Sequence, residues 1–100
     1  MATYAMLTKL SAEALDHPEA VARLNHDLSA RLAREGLQVK WLGNYAVSGP
    51  YDYLDIFEAP DSETATKMML LVRCLGHATT ETWLVTPWDR FVDMATQLKA

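Results

Sequence analysis

The chain has 100 residues, of which half are hydrophobic and 22% are charged, and its net charge is −4 at pH 7. This is the composition of a single globular domain with one core, so we expect one domain over residues 1–100. The nine basic residues are scattered, which disfavours nucleic acid and anionic membranes as partners, because both bind a concentrated basic face.

Cys74 is the only cysteine, so an intramolecular disulfide and a cysteine-rich zinc site are excluded. The opening stretch "MATYAMLTKL" lacks the basic region and the long apolar run of a secretion signal. No apolar run reaches the roughly 18 residues of a membrane span. We therefore expect a cytoplasmic protein.

The first strand is predicted over residues 3–10, and the clearest helix follows over 15–36. Apolar residues of this helix recur at spacings of three, four and four, which places them on one face. They are Val21, Leu24, Leu28 and Leu32.

The second strand is predicted over 37–47, the turn "SGPY" follows, and the third strand covers 52–59. The two-residue period of a strand puts four residues of the second strand on one side. They are Val39, Trp41, Tyr45 and Val47.

Asp61 or Ser62 then caps a helix over 62–76. A fourth strand over 77–86 and a last helix over 86–98 complete the chain. The order is β-α-β-β-α-β plus a C-terminal helix, which predicts an α+β, ferredoxin-like fold with a four-stranded antiparallel sheet. Right-handed crossovers would place the first and third strands at its centre.

Both faces of this sheet are expected to be apolar. In the third strand Leu54 and Ile56 lie on one face, whereas Tyr53 and Phe57 lie on the other. Two helices cover only one side, and monomers rarely leave a large apolar patch in water. We expect a homodimer or higher oligomer whose subunits pack sheet to sheet. The alternative is that the C-terminal helix alone covers the second face of a monomer.

Three blocks of the sequence resemble the GYD-domain family: "MATYAMLTKL" at the start, "GPYDYLDIFEAPD" at 49–61 and "LGHATTETW" at 75–83. The resemblance implies a dimeric α/β barrel, in which two ferredoxin-like units oppose their sheets around a shared lumen. It implies little about activity, because the family is largely uncharacterised. The chain departs from the family at Asp55, where an apolar residue is expected.

Tyr51 and Asp52 follow the turn. In one interpretation Asp52 accepts backbone N–H groups across the hairpin and fixes its register. In the other, the Tyr51 hydroxyl and the Asp52 carboxylate lie at the mouth of a lumen and bind a small ligand.

Asp55 is unusual because a carboxylate in a central strand costs several kcal/mol unless it is paired or hydrogen-bonded. Three interpretations stay open. Asp55 faces a polar cavity, or it pairs with a cation such as Lys9 or Lys40, or its strand lies near solvent. A cavity would raise its pKa and make it a candidate general base.

The remaining ligand candidates are aromatic or charged. Trp41, Tyr45, Tyr53 and Trp83 either wall an aromatic pocket or belong to the core. Lys9 and Glu81 are polar candidates. His77 lies about 13 Å from Glu81 along the strand, so the two cannot chelate one metal, and no metal site is expected. No cofactor is expected either, although a haem ligand from His77 stays open.

Three functions remain. The first is a small homo-oligomeric binding protein with an apolar or aromatic small molecule in its lumen. The second is an oxygenase-type or isomerase-type enzyme with Asp55 or His77 as the base. The third is a scaffold or regulatory accessory subunit. No catalytic constellation converges in the sequence, which favours the first and the third.

Overall fold

The computed structural model describes residues 1–76 and 78–98. Its four strands form one antiparallel sheet in the order β2-β3-β1-β4. This confirms the ferredoxin-like arrangement and the central position of the first and third strands. A short helix, α1, was not predicted. The elements are β1 Ala2–Leu10, α1 Ala12–Leu15, α2 Pro18–Arg34, β2 Lys40–Ala46, β3 Tyr53–Ala59, α3 Ser62–Gly76, β4 Ala78–Val85 and α4 Trp88–Gln97.

The core lies between α2, α3 and one face of the sheet. On that face Tyr4 and Phe57 are directly opposite each other, and their rings stack with centroids 5.5 Å apart. The rings of Trp41 and Phe57 pack in an edge-to-face arrangement with centroids 5.9 Å apart. The helices contribute Leu28, Leu32, Ala65, Met68 and Val72 to the same cluster. These residues are the apolar stripes that helical spacing predicts.

Each long helix has one end with a well-defined cap. The Asp61 Oδ1 atom accepts a hydrogen bond of 2.8 Å from the Thr64 backbone N–H, so Asp61 is the predicted cap of α3. At the end of α2, Gly36 has a φ of 69°. The Gly36 N–H donates to the Ala33 carbonyl, and the Leu37 N–H donates to the Leu32 carbonyl. These two bonds form a Schellman motif. Because the motif requires the left-handed conformation, glycine suits position 36.

A β-bulge interrupts β2 between Trp41 and Gly43. Trp41 pairs with Phe57, whereas Tyr45 pairs with Leu54, so Trp41 and Tyr45 lie on opposite faces of the sheet. The prediction that they share a side was therefore wrong. The extra residue of the bulge shifts the alternation of side chains by one position.

α4 does not cover the second face of the sheet. Every described residue of this helix is exposed, including Trp88, which is 73% accessible. Trp88 and Phe91 stack on each other, with ring centroids 5.3 Å apart. The alternative in which the C-terminal helix shields a monomeric sheet is therefore wrong for this structure.

The core makes a direct prediction for stability on α3. Met68 is fully buried, whereas Leu70, two residues later, is 50% exposed. Met68→Ala should lower the free energy of unfolding by about 2–5 kcal/mol, because it leaves a cavity in the core. Leu70→Ala should change it by less than about 1 kcal/mol. Urea denaturation followed by circular dichroism measures both, and equal losses would contradict the packing described.

Candidate functional site

The open face is the sheet surface opposite α2 and α3. Its centre consists of apolar residues from the two central strands, where Ala5 pairs with Ile56 and Leu7 pairs with Leu54. Leu7, Leu54 and Ile56 remain partly accessible because no helix or loop of the described chain packs over them. The open face is therefore an apolar surface that the described part of a single chain leaves uncovered.

Aromatic and charged residues surround this apolar centre. Tyr45 pairs with Leu54 at the β2 edge, and Trp83 pairs with Ala5 at the β4 edge. The two residues are 55% and 52% exposed. Lys9 and Glu81 also lie on this face, on neighbouring strands. An apolar centre with a polar rim is the usual anatomy of a protein interface.

The predicted aromatic pocket does not form within one chain. Trp41 packs against the core on the helix side. Tyr53 is also on the helix side, because it pairs with the buried Thr8. Tyr45 and Trp83 lie on the open face, at opposite edges of the sheet. Of the two interpretations, packing against the core holds for Trp41, and Tyr45 and Tyr53 border one cavity, described below, whose described lining does not include Trp41 or Trp83.

Asp55 lies on the helix side of β3, where its neighbour in register on β1 is Met6. The Asn44 side-chain N–H donates a hydrogen bond of 2.7 Å to Asp55 Oδ1. Lys9 and Lys40 pair with residues of the open face, so neither reaches Asp55 through the sheet. The ion-pair interpretation was therefore wrong, and the polar-cavity interpretation fits the structure.

The cavity beside Asp55 lies between α2 and the sheet, and we call it the α2 cleft. It has a volume of about 320 Å³. The helix contributes mainly apolar side chains together with Asn25, and most of the polar side chains come from the sheet. The lining residues that matter below are Val21 and Leu24 from α2 and Thr8, Asn44, Tyr53 and Asp55 from the sheet.

Burial raises the pKa of Asp55, and the hydrogen bond from Asn44 offsets part of that rise. Burial also raises the pKa of Tyr53, and the nearby carboxylates of Asp52 and Asp55 raise it further. Tyr53 is thus held as a neutral hydroxyl, which can donate a hydrogen bond. Chemically, the α2 cleft offers one carboxylate, one phenol and one amide beside an apolar wall.

Asp52 ties the β2–β3 hairpin to the end of β1. Its Oδ2 atom accepts a hydrogen bond of 2.8 Å from the Leu10 backbone N–H. Its own N–H donates to the Thr8 carbonyl at 2.8 Å, and its carbonyl accepts from Val47 at 3.0 Å. Asp52 therefore has the backbone contacts of a structural residue, although its side-chain partner is on β1 and not within the hairpin. Tyr51 is half-buried beside it.

Thr8 and Asn44 are polar lining residues of the sheet that were not among the predicted site residues. A signal existed for Thr8, which is a polar position between Met6 and Leu10 in an apolar strand face. Asn44 carried no such signal, because only the bulge brings it beside Asp55. His77, a predicted candidate base, lies outside the described residues. Among the residues that are described, no cluster of His, Cys, Asp or Glu has the arrangement of a metal site.

Comparison with known proteins identifies the family. The GYD domain model matches residues 4–95, which is nearly the whole chain. The chain belongs to the GYD domain family. Within residues 1–76 and 78–98, none of the helices of this GYD domain has the length and hydropathy of a membrane span.

Two relatives are informative. A Thermus thermophilus protein named "Glutamine synthetase and cystathionine beta-lyase binding protein" is 28% identical over 103 residues, covering 99% of this GYD domain chain and 100% of the relative. The structure of a feast or famine regulatory protein from M. tuberculosis, complexed with L-methionine, matches 87% of the chain with a TM-score of 0.60. The identity is 15%, and the chain spans 51% of that protein, so this likeness shows the fold alone.

The role of Asp52 predicts a graded loss of stability. Asp52→Ala leaves the Leu10 N–H without its acceptor, which should lower the free energy of unfolding by roughly 1–3 kcal/mol. Asp52→Asn keeps an acceptor oxygen and should lose less. Urea denaturation of both variants gives the comparison. A larger loss in Asp52→Asn than in Asp52→Ala would contradict a role as a backbone acceptor.

The raised pKa of Asp55 predicts a pH dependence of stability. The folded state binds the Asp55 proton more tightly than the unfolded chain does. The contribution of Asp55 to the free energy of unfolding therefore falls as pH rises from the ordinary pKa of an aspartate through the raised pKa of Asp55 in the folded state. Asp55→Asn should remove this reduction. Asn44→Ala should enlarge it, because the hydrogen bond that lowers the pKa is lost.

The measurement is the free energy of unfolding across the acidic pH range for the three proteins. The account predicts that the advantage of Asp55→Asn over the native protein grows with pH and then levels off. An advantage that shrinks as pH rises would show that the carboxylate is stabilised in the fold.

Proposed function

We propose that this chain is a homo-oligomeric accessory protein, which binds metabolic enzymes and whose subunits oppose their open faces around a shared lumen. The observation that carries the proposal is the open face itself. Leu7, Leu54 and Ile56 surround the buried Ala5 on the two inner strands and stay partly accessible, and within residues 1–76 and 78–98 no helix covers them. Large exposed apolar patches mark interaction sites in soluble proteins.

A second copy of the chain is the partner that fits this face. In a two-fold symmetric dimer the same patch is used by both subunits, so the patch has to be complementary to itself. A flat apolar centre meets this condition, and the rim carries both charge signs, as Lys9 and Lys40 stand beside Glu58 and Glu81. The rim can therefore pair with its own copy without repulsion between like charges.

The lumen between two such faces is the proposed place for a small apolar or aromatic molecule. Tyr45 and Trp83 stand at opposite edges of the open face, where they would line the ends of the lumen. Lys9 and Glu81 would supply polar contacts. Tyr53, Trp41 and Asp55 are not part of this proposal, because they lie on the helix side of the sheet.

The accessory role is supported by the relative from Thermus thermophilus, whose name states that it binds glutamine synthetase and cystathionine beta-lyase. We propose the same kind of partner, a cytoplasmic metabolic enzyme, for this chain. The surface proposed to bind it is the apolar side of α4, which includes Trp88, Phe91 and Val92. Amphipathic helices commonly bind by inserting their apolar side into a groove of the partner.

Binding is favoured over catalysis by the contents of the α2 cleft. Asp55 is its one described carboxylate, and Tyr53 is held as a neutral hydroxyl. A proton-transfer enzyme usually needs a base and a second group that stabilises or protonates the intermediate. The described lining provides no cation for that second task.

The oligomer is tested by placing a charge at the centre of the open face. Ile56→Lys should prevent the sheets from packing and reduce the particle to its subunit mass of 11.2 kDa. Leu70→Lys is the matched control, because Leu70 is an exposed leucine on α3 away from the open face. Light scattering after size-exclusion chromatography measures both masses. An oligomer that survives Ile56→Lys unchanged would place the interface elsewhere.

The enzyme-binding surface is tested on α4. Phe91→Glu should weaken binding to glutamine synthetase or cystathionine beta-lyase of the same organism at least tenfold, while the oligomer mass stays the same. Asp93→Ala is the control, since it changes a polar position of the same helix. Surface plasmon resonance measures the affinities. If Phe91→Glu instead breaks the oligomer, α4 serves self-association and the assignment to the enzyme is wrong.

A further inference from the structure

The α2 cleft exists because the two halves of α2 pack differently. The apolar stripe of the helix runs through Val21, Leu24, Leu28 and Leu32. Leu28 and Leu32 are buried in the core, whereas Val21 and Leu24 are only partly buried and border the cavity of about 320 Å³. An apolar wall thus faces open space at the first half of the helix. Filling that space with an apolar group would remove exposed apolar surface from water.

The sheet side of the cleft carries polar groups with unused hydrogen-bonding capacity. Asp55 receives one bond from Asn44 at its Oδ1 atom, and a carboxylate can accept several. Thr8 also lines the cleft. It is 1% exposed, and its hydroxyl has no hydrogen-bond partner. Buried hydroxyls are nearly always bonded in native proteins, so an unpartnered one requires an explanation such as a missing ligand.

The charge of Asp55 is uncompensated inside the cleft. No lysine, arginine or histidine is among the described residues that line it, and Lys9 and Lys40 are on the other face of the sheet. Burial of the unpaired carboxylate is also what raises the pKa of Asp55. A half-buried carboxylate without a counter-ion is costly to the free protein, and a cationic ligand would relieve that cost.

We propose that the α2 cleft binds a small organic amine, whose ammonium group contacts Asp55 and whose apolar tail lies along Val21 and Leu24. The ammonium donates hydrogen bonds to the Asp55 carboxylate, which is the charge-assisted type of contact. A cavity of this volume is at the lower end of the range for ligand pockets, so the tail is short, comparable to a phenethyl group.

This site is distinct from the proposed lumen, although Tyr45 at the β2 edge borders both. The α2 cleft opens between the helix and the β2 edge, where Ala22, Asn25 and Ala46 are exposed at its border. The lumen would lie on the other face of the sheet. Amine binding in the cleft does not depend on oligomerisation, and it can be tested in the Ile56→Lys variant as well as in the native protein.

Phenethylamine is the probe, and 2-phenylethanol is its neutral counterpart of nearly the same shape. In ¹H–¹⁵N NMR titrations at neutral pH, phenethylamine should shift the side-chain amide signals of Asn44 and the backbone signal of Thr8, and it should saturate. The alcohol should bind at least tenfold more weakly, because it lacks the charge. This comparison uses the native protein and needs no variant.

Asp55→Asn should reduce phenethylamine affinity at least tenfold and leave the affinity of the alcohol nearly unchanged. Glu58→Gln is the matched control, since it removes a carboxylate from the same strand on the opposite face. That variant should bind phenethylamine as the native protein does.

Three results would overturn the assignment. They are equal affinity for the amine and the alcohol, no saturable binding of the amine at millimolar concentration, and shifts confined to open-face residues such as Trp83. None of these results depends on the mass of the Ile56→Lys variant. The proposed amine site and the proposed oligomer are therefore tested independently.

Discussion

A four-stranded sheet has two faces, and in the described part of the chain two helices, α2 and α3, pack on it. α2 and α3 cover the face of Tyr4, Met6 and Phe57, and these residues form the core. The other face is apolar along the same central strands, where Ala5, Leu7, Leu54 and Ile56 meet. The hydrophobic effect makes that uncovered surface unfavourable in water, and it is the reason for expecting a second layer. Every described residue of α4 is exposed, so this helix does not supply that layer.

The bulge in β2 has consequences for both faces. Because of the bulge, Trp41 packs on Phe57 in the core and Asn44 contacts Asp55 on the same side of the sheet. Trp41 and Asn44 are three residues apart, and a regular strand would place them on opposite sides. The bulge also turns Tyr45 to the open face, where the ring lies over Gly43. A Cβ atom at Gly43 would stand 2.6 Å from the Tyr45 ring, so the glycine leaves room for this ring position. One additional residue in a strand thus connects the core, the α2 cleft and the open face.

Much of the fold was predictable, because its elements have strong local patterns. The spacing of Leu24, Leu28 and Leu32 identifies α2, and Asp61 and Gly36 mark helix ends through their backbone chemistry. The apolar character of both strand faces also predicted that one face would lack a cover. These signals lie within short stretches of sequence, where period and cap chemistry determine the structure.

The site was less predictable, because its geometry depends on long-range relations. No clear sequence pattern predicts a bulge. Counting alternate residues therefore could not predict which face of the sheet Tyr45 lies on, or that Asn44 is the hydrogen-bond partner of Asp55. The environment of Asp55 further depends on how closely the first half of α2 approaches the sheet. No periodic pattern in the sequence predicts the distance between α2 and the sheet. The role of Asp52 as a backbone acceptor was easier to predict, because a carboxylate after a turn commonly accepts backbone N–H groups.

The central claim is that the open face is covered in solution. Hydroxyl-radical footprinting of the native protein at micromolar concentration measures it directly, because oxidation rates follow side-chain exposure. The account predicts that Tyr45 and Trp83, which are 55% and 52% exposed in the single chain, are strongly protected, while Leu70 at 50% reacts at its full rate. Oxidation of Tyr45 and Trp83 at the rates of freely accessible side chains would show an uncovered sheet and contradict the account.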